Sequence, residues 1–267
     1  SPTKPKPPPP PEKFSEWGER GAEIRAAKTH ADGLHNEDVL KNTYDGTFAG
    51  LRTKTNQVNR HNGTEETFNP RDEDDQVPRM QPFRRTNVGG EILDASGKAV
   101  GKWERTILSR DDYDGKTTTS VSHDFLKLDE NVQGGGFARE FNRHAENHYI
   151  ANGVNQVSLS ANIDVGGYAW ARQGFDFTNP SARLDAQRYA KARIERDFPR
   201  AQHEALMEKL RATEHSWDIA AITDETGRVI GKDLMLGSHW HGTKSLEVGH
   251  PTQIVAEVAY QSKKGKK

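Results

Sequence analysis

The sequence predicts an α/β (α+β) fold in which helices flank a central mixed, mostly antiparallel sheet. Three observations lead to this prediction. Residues 83–128 carry β-branched and aromatic side chains in three runs that are separated by turn sequences. After residue 136 the apolar spacing changes to four residues, which is typical of a helix. Residues 157–161 then alternate apolar and polar side chains, which indicates a further strand with one buried face.

The first run of the chain with clear secondary structure is a three-stranded meander. Its strands are predicted at residues 83–93, 100–108 and 117–128. The turn at 94–98 contains Gly97 and the turn at 110–116 contains Gly115, and glycine adopts a left-handed conformation at little cost. Because short turns join antiparallel neighbours, we expect the three strands to lie side by side in chain order.

One long amphipathic helix follows the meander. Apolar side chains recur at every fourth position from Phe137 to Tyr149, which places them on one face. The alternating segment 157–161 comes next. A short helix at 165–172 and a strand at 175–177 complete the unit, so the order of elements is three strands, helix, strand, helix and strand.

The chain before residue 83 is predicted to be an extended N-terminal arm. Residues 1–11 are mostly proline, which favours a polyproline II linker because each proline fixes its backbone φ angle. Residues 12–82 are predicted to form a short helix and then a polar, partly irregular segment, since apolar anchors are few and the run from Asp72 to Asp75 is acidic.

The chain after residue 178 is predicted to add a helical insertion and the last strands of the sheet. Residues 182–212 are rich in Ala, Arg, Glu, Lys and Leu and favour two helices broken at Pro199. Further strands are predicted at 217–222, 229–236 and 252–260. The folded domain is therefore expected to span residues 83–260, with a basic tail at 261–267 behind it.

Composition and charge exclude several functional classes. The formal net charge of −1 gives no overall reason for nucleic-acid or anionic-membrane binding. The absence of cysteine excludes a disulfide frame, a thiolate nucleophile and a zinc–thiolate site. No apolar run reaches the length of about eighteen residues that a membrane-spanning helix needs. We expect a cytoplasmic chain that has no membrane or nucleic-acid partner.

A glycine-rich turn joins the third strand to the long helix. It runs from Gln133 to Ala138 and contains three consecutive glycines. The N–H groups at a helix N-terminus lack intrahelical partners and lie at the positive end of the helix dipole, so this position suits a phosphate group. Glycines let such a ligand approach the backbone closely. The turn therefore predicts a phosphate-binding cradle.

This turn and its surroundings resemble the GNAT superfamily of N-acyltransferases. The pyrophosphate loop of that family reads Gln or Arg, two variable residues, Gly, one variable residue, and Gly or Ala, and Gln133, Gly136 and Ala138 match it. The resemblance continues on both sides, from the antiparallel strands before the loop to the closing pair Gly174 and Phe175. It covers residues 83 to 178.

The resemblance implies an acetyl-CoA-dependent N-acetyltransferase, or one that uses another acyl-CoA. The amine acceptor would attack the thioester directly in a ternary complex, with the N–H of Leu128 polarising the carbonyl. A small amine, a protein amine and an aminoacyl-tRNA are all open as acceptors, although the net charge of −1 gives the tRNA no support. The residues that the resemblance assigns to cofactor binding are Leu128, Gln133, Gly134, Gly135, Gly136, Phe137, Ala138 and Asn162.

Four residues are candidates for proton transfer. His123 and Asp124 lie on opposite faces of the third strand, and either is placed to act as the base. Trp170 stands where the family often has the tyrosine that protonates the departing thiolate, and Tyr168 lies two residues earlier. An indole donates a hydrogen bond but is not an acid, so the leaving-group side departs from the family pattern.

No metal site is predicted. His239 and His241 flank Trp240 and would share one face of a strand, but no third ligand accompanies them at a fixed spacing. His144 and His148 are four residues apart on the long helix, yet the sequence between them does not follow the metalloprotease pattern.

Two alternatives to an enzyme stay open. The first is a catalytically reduced, GNAT-derived binding or structural module of a larger assembly, with the N-terminal arm contacting a protein partner. The presence of Trp170 in place of the usual tyrosine favours it. The second is an effector or toxin domain, which is supported only by the proline-rich leader and by Ser1 as the first residue.

Overall fold

The computed structural model describes residues 33–69, 71–74, 77–161 and 166–264. In this part of the chain eight strands form one sheet, and helices pack against it. The strands are β1 (Gly46–Phe48), β2 (Leu51–Thr67), β3 (Arg79–Leu93), β4 (Ala99–Asp111), β5 (Thr117–Leu128), β6 (Gln156–Ala161), β7 (Asp176–Phe177) and β8 (Trp240–Ser245). The helices are α1 (Glu37–Tyr44), α2 (Phe137–Ala151), α3 (Gly166–Arg172), α4 (Pro180–Asp197), α5 (Arg200–Arg211), α6 (Ser216–Ala220), α7 (Gly231–Met235) and α8 (Pro251–Lys264).

The strand order across the sheet is β1-β2-β3-β4-β5-β6-β8-β7. Neighbouring strands are antiparallel with one exception, since β5 and β6 run parallel. The connection between these two strands passes through α2, because a parallel pair needs a crossover connection. The predicted fold class, a mixed and mostly antiparallel sheet flanked by helices, is confirmed.

One layer of the core lies between one face of the sheet and α2. Trp103, Ile107 and Val121 point from β4 and β5 toward this helix and are almost completely buried. On the helix, Phe141 and Tyr149 are buried as well, as the four-residue spacing predicted. Removing one such large side chain typically costs about 3–5 kcal/mol, so this layer accounts for much of the stability of the fold.

Buried ion pairs join α2 to the end of the chain. Lys244 on β8 pairs with Glu146 on α2, and both side chains are more than nine-tenths buried. Arg143, one turn earlier on the helix, pairs with Glu257 on α8 at 2.6 Å. Because breaking a buried pair leaves an uncompensated charge, these contacts fix α2 between the sheet and the last helix.

Three turns of the fold have the same construction. Each begins with an aspartate, has a left-handed glycine three residues later and ends with a lysine or arginine: 94–98, 112–116 and 224–228. In the first of them, Asp94 Oδ1 accepts hydrogen bonds from the N–H groups of Ser96 and Lys98 at 2.9 and 3.0 Å. The same two bonds occur in the other two turns. We call these three turns the closed turns.

The N-terminal arm differs from its prediction. The three strands of the meander are confirmed as β3, β4 and β5, although β3 begins earlier, at Arg79. Residues 37–67, however, form α1, β1 and β2, so the prediction of an irregular segment is wrong there and the sheet begins well before residue 83. The apolar alternation of a strand is missing from β2 because its buried side chains are threonines, Thr53 and Thr55. The proline-rich linker at 1–11 lies outside the described residues.

The C-terminal part confirms one prediction and corrects three. The helical insertion is present as α4 and α5, which meet at Pro199. The strands predicted at 217–222, 229–236 and 252–260 are wrong, since α6, α7 and α8 occupy these positions. In α8 the buried side chains include Thr252, Gln253 and Glu257, so an apolar helical period is absent from the sequence. The last strand to join the sheet is β8, between β6 and β7.

No helix within the described ranges combines the length and the apolar character that are needed to cross a bilayer.

Candidate functional site

The parallel strands β5 and β6 are paired over only part of their length. Their ladder runs from Ser120 to His123 on β5, and the last pair is His123 with Leu159. Both strands continue past this point, β5 to Leu128 and β6 to Ala161. The unpaired ends leave a gap between two neighbouring strands in the middle of the sheet. An open backbone edge in this position can hydrogen-bond an extended ligand.

A β-bulge on β5 lies where the gap begins. On β4, Glu104 faces Phe125 and the next residue, Arg105, faces His123, so Asp124 has no partner in the ladder. A bulge bends its strand and turns local backbone groups away from the regular ladder. Here it separates the paired half of β5 from the unpaired half.

Arg105 holds the backbone at this bulge. Its side chain is only 1% exposed. The guanidinium donates hydrogen bonds to the carbonyl oxygens of Phe125 at 2.7 Å and Glu104 at 2.9 Å, and a third to Asn142 Oδ1 at 3.2 Å. Among the described residues no carboxylate pairs with it. A buried cation that is satisfied by carbonyl groups fixes the positions of those groups, because losing them would leave the charge unsolvated.

The glycine-rich turn lies just beyond the open end of β5. Gly134 and Gly136 have φ angles of 80° and 90°, and Gly136 is the N-cap of α2. Since glycine has no side chain, the N-terminus of α2 carries no side-chain cap. The first intrahelical bond joins Glu140 N to Gly136 O at 3.2 Å, so the N–H groups of Phe137 and Ala138 have no acceptor within the helix.

The space around the first two glycines of this turn is open, whereas a Cβ on Gly136 would lie 3.7 Å from the guanidinium of Arg139. A Cβ atom built on Gly134 or Gly135 meets no other atom within 4 Å. The side chain of Gln133 folds back, and its Nε2 donates to the carbonyl oxygen of Leu128 at 2.9 Å. The turn is thus fixed at its start, and at its end backbone N–H groups lack both an intrahelical acceptor and a side-chain cap. Such N–H groups at the N-terminus of a fifteen-residue helix fit a phosphate group.

Among the residues predicted to bind the cofactor, Phe137 and Leu128 lie in different environments. The side chain of Phe137 is buried against Phe141 at a centroid distance of 5.4 Å, so it belongs to the core and only its backbone faces the turn. Leu128 pairs with Gly101 at the regular end of β5, whereas the bulge of this strand lies four residues earlier, at Asp124. Asn162 lies outside the described residues.

His123 is buried at the inner end of the gap. The ring is 7% exposed, and its Nε2 lies 3.2 Å from the hydroxyl of Tyr149, which lies 2.8 Å from the hydroxyl of Tyr44. Burial lowers the pKa of His123 well below its usual value, and the nearby charges of Arg105 and Lys244 lower the pKa further. The imidazole is therefore neutral at pH 7. Its Nδ1 has no hydrogen-bond partner among the described residues.

Asp124 lies on the opposite, open face of the sheet, as the sequence predicted. Its two carboxylate oxygens accept hydrogen bonds of 2.6 Å from the hydroxyls of Thr106 and Ser122. The neighbouring Phe125 is also exposed. The structure thus places His123 and Asp124 on different sides of the gap, one buried and one in solvent.

Trp170 is linked to His123 through a shared aromatic neighbour. The Trp170 ring contacts Phe175 edge-on at 5.6 Å between centroids, and Phe175 lies 6.3 Å from the ring of His123. The hydroxyl of Tyr168, on the same short helix α3, accepts a hydrogen bond from Arg172 at 3.3 Å instead. His123, Phe175 and Trp170 therefore form a connected aromatic wall to which Tyr168 does not belong.

Three residues near the gap were not predicted from the sequence. Tyr149 was recognised only as part of the apolar face of α2, Tyr44 lies in the segment expected to be irregular, and Arg105 has the sequence context of an ordinary strand residue. Their contacts join positions far apart in the chain, 105 residues in the case of the two tyrosines. Local spacing carries no signal for such a cluster.

The two histidines of each pair lie close together in the structure. His239 and His241 have ring centroids 6.0 Å apart, and those of His144 and His148 are 4.6 Å apart. Within the ranges that the structure describes, no group of three or more His, Asp or Glu side chains is placed to hold a metal ion.

Comparison with known proteins adds no relative. No protein-family model matches the chain, and a search of curated proteins gives no significant match. Function must therefore be inferred from the geometry of the chain itself.

Proposed function

We propose that this chain is an acyl-CoA-dependent N-acyltransferase that transfers an acetyl group to an amine within a ternary complex. One observation carries the proposal: a glycine-rich turn with uncapped helix N–H groups follows the bulged strand β5 after a short 3₁₀ helix (Glu130–Val132), and β5 is unpaired from its parallel neighbour β6 beyond His123. A phosphate cradle and an open strand edge on the same strand suit an extended, phosphate-bearing donor such as acetyl-CoA.

The two halves of such a donor have different requirements. The pyrophosphate needs hydrogen-bond donors and positive potential, which the N-terminus of α2 supplies through the backbone of residues 136–138. The pantetheine arm is an extended amide chain, and amide groups can pair with the free backbone edge of β5 in the manner of an added strand. The gap between β5 and β6 then directs the thioester toward the bulge at Asp124.

The reaction needs no covalent enzyme intermediate. The amine nitrogen forms a bond to the acyl carbon, the carbon–sulfur bond breaks, and the amine proton and the thiolate charge must both be accommodated. Proximity and an oriented N–H donor supply most of the rate in such a reaction. His123 is neutral at pH 7 and retains one nitrogen without a partner among the described residues, so it is our candidate for the proton acceptor.

Release of thiol from acetyl-CoA in the presence of an amine panel tests this proposal. We expect turnover with at least one class of amine in wild-type protein. His123→Gln should lower kcat by roughly a hundredfold or more while acetyl-CoA still binds, because general-base catalysis typically contributes that much. Asp124→Asn is the matched control on the opposite face and should leave kcat nearly unchanged. If Asp124→Asn is the inactive variant instead, the base lies on the open face.

A second function is a binding module that retains acetyl-CoA without turnover. Two observations favour it. Trp170, which belongs to the same aromatic wall as His123, cannot protonate a thiolate. The hydroxyls linked to His123 belong to Tyr149 and Tyr44, which are completely buried, so this chain of hydrogen bonds does not reach solvent. Acetyl-CoA binding with no thiol release across the whole amine panel would support the module over the enzyme.

A further inference from the structure

Within the described part of the chain, most of the outer edge of the long strand β2 is not paired with another strand. Strand β1 covers only its beginning, from Leu51 to Thr53, and Asp45 Oδ1 accepts the N–H of Thr55 at 2.6 Å. From Val58 to Thr67 the inner edge is paired with β3, and no described strand lies along the outer edge. A free strand edge of about ten residues is unusual, because such an edge is a template for pairing with another chain.

This edge lacks most of the features that protect edge strands. Residues 58–67 contain no proline and no lysine. The register irregularity of β2 lies before them, between Thr55 and Gln57. Proteins normally use prolines, inward charges, bulges or short strands to block pairing at an edge, and this segment is regular throughout.

The charges along this edge complement a second copy of the same strand. When two copies of one strand pair antiparallel, a two-fold axis perpendicular to the sheet relates them. The side chains of two paired residues then lie on the same face of the joined sheet. An axis through Gly63 places Arg60 opposite Glu66 of the second copy, and the symmetry repeats this pair. It also places His61 opposite Glu65 of the second copy. If the axis passed through Asn62 or Thr64 instead, no cation of the second copy would face Glu65 or Glu66.

The two outer charges are available for this pairing. The Nε atom of Arg60 donates to the carbonyl oxygen of His35 at 2.9 Å, but no carboxylate among the described residues pairs with this side chain. Glu66 is exposed and forms no hydrogen bond or ion pair within the described ranges. Each therefore gains a counter-charge in the symmetric arrangement. Glu65 already contacts Arg110 at 2.9 Å and would keep that contact on the same face.

The residue on the axis suits close approach. A Cβ on Gly63 would lie 2.7 Å from the ring of Phe83, which covers this glycine from the neighbouring strand β3. Opposite residues of an antiparallel pair lie about 5 Å apart. Two copies joined at Gly63 would thus bring their Phe83 rings side by side across the axis, which adds an apolar contact to the centre of the ladder.

We propose that the outer edge of β2 is a homodimer interface, in which residues 59–67 of two copies pair antiparallel about Gly63. The ladder would be roughly 30 Å long at about 3.4 Å per residue. It would join the two sheets into one continuous sheet of twice the width. In the strand order, β3 and β4 separate this interface from the gap between β5 and β6, so pairing at β2 would not cover the gap.

Sedimentation velocity with charge-reversed variants tests this proposal. Wild-type protein should form dimers in a concentration-dependent manner. Arg60→Glu alone places two like-charged pairs in the ladder, as does Glu66→Arg alone, and each should weaken dimerisation by roughly a hundredfold or more. In a mixture of the two variants, the glutamate introduced at position 60 faces the arginine introduced at position 66, and the native Arg60 faces the native Glu66. The mixture should therefore form heterodimers from two monomeric proteins.

The control is Lys127→Glu, an exposed charge change on β5 that should leave the dimer intact. Thermal unfolding of each variant separates loss of pairing from loss of fold. A wild-type protein that stays monomeric at high concentration would overturn the proposal, as would a dimer that Glu66→Arg leaves unchanged. Hydrogen exchange adds a further test. If the amides of residues 58–67 are protected in a monomer and lose that protection when residues 1–32 are deleted, the arm of the same chain covers this edge. That result would also overturn the proposal.

Discussion

The turn that joins β3 to β4 and the turn that joins β5 to α2 both contain a left-handed glycine. They differ in whether a side chain accepts hydrogen bonds from their backbone N–H groups. In the first, Asp94 Oδ1 accepts the N–H groups of Ser96 and Lys98. In the second, Gln133 stands three residues before Gly136, where the closed turns have their aspartate, and its side chain bonds to Leu128 instead. The N–H groups that follow have no side-chain cap.

The difference separates the closed turns from the turn that we propose as a phosphate site. All three closed turns satisfy their own amide groups, so they offer nothing to a ligand. The turn at 133–138 leaves donors without a side-chain cap at the positive end of a helix, and the space around Gly134 and Gly135 is open. The N–H groups without a side-chain cap, more than the number of glycines, make this turn the candidate site.

The largest expected effect is the loss of acetyl-CoA binding in Gly135→Glu. Gly135 has no positive φ angle, and a Cβ atom placed there meets no atom within 4 Å, so the variant should fold like the wild type. Its carboxylate would occupy the cradle and repel phosphate. Charge-assisted hydrogen bonds contribute about 1.5–3 kcal/mol each, so the Kd should rise by roughly a hundredfold or more. Calorimetric titration measures it, and an unchanged Kd would contradict a cradle at this turn.

A smaller effect is expected from Gln133→Asp. This change places an aspartate three residues before Gly136, as in the closed turns, where an aspartate precedes the left-handed glycine by three residues. The new carboxylate lies near the N–H groups of the first helical turn and competes with phosphate for them. We expect the Kd for acetyl-CoA to rise by about tenfold, at roughly 1.4 kcal/mol per factor of ten. Gln133→Asn adds no charge and is the matched control. Equal affinities for both variants would rule out this electrostatic competition.

Gly97→Val tests a closed turn and should affect stability without affecting binding. Gly97 has a φ angle of 85°, which costs a residue with a Cβ atom roughly 1–2 kcal/mol. Urea unfolding should show a loss of this size, with the slope of the transition unchanged. Acetyl-CoA affinity should equal that of the wild type. A change in affinity here would mean that binding responds to general destabilisation and not to the cradle.

The smallest effect is a pH-dependent loss of stability in Asp224→Asn. Hydrogen bonds, chiefly from Thr226, lower the pKa of Asp224 to about 2 from 3.8. A carboxyl group with a lowered pKa stabilises the fold above its unfolded pKa, and this contribution disappears as the pH falls toward 2. The variant should therefore melt below the wild type at pH 6, and the two melting temperatures should converge near pH 2. A difference that is constant with pH would contradict this role of the carboxylate.

Local patterns in the sequence predicted much of the central unit. The alternation at 157–161 and the four-residue spacing from Phe137 to Tyr149 report burial on one face of an element, and both elements are present. The glycine-rich turn can also be predicted from local sequence, because glycines adopt positive φ angles and let a ligand approach the backbone closely. These predictions needed no knowledge of distant contacts.

The remaining features depend on contacts that sequence spacing does not encode. The segment 252–260 contains Ile254, Val255 and Val258, which favour a strand, but tertiary contacts decide for a helix: Glu257 pairs with Arg143 of α2. The backbone at the bulge of β5 is held by Arg105, whose role is visible only once β4 and β5 are paired. Neither the partner nor the register could be derived from the chain without its fold.

Calorimetric titration of the wild-type protein with acetyl-CoA and with S-acetylpantetheine tests the cradle most directly, because the second ligand keeps the thioester and lacks the phosphates. We expect micromolar binding of acetyl-CoA, and an affinity for S-acetylpantetheine that is weaker by roughly a hundredfold or more, since the lost contacts are charge-assisted hydrogen bonds. Equal affinity for the two ligands, or no binding of acetyl-CoA, would contradict a phosphate cradle at the N-terminus of α2.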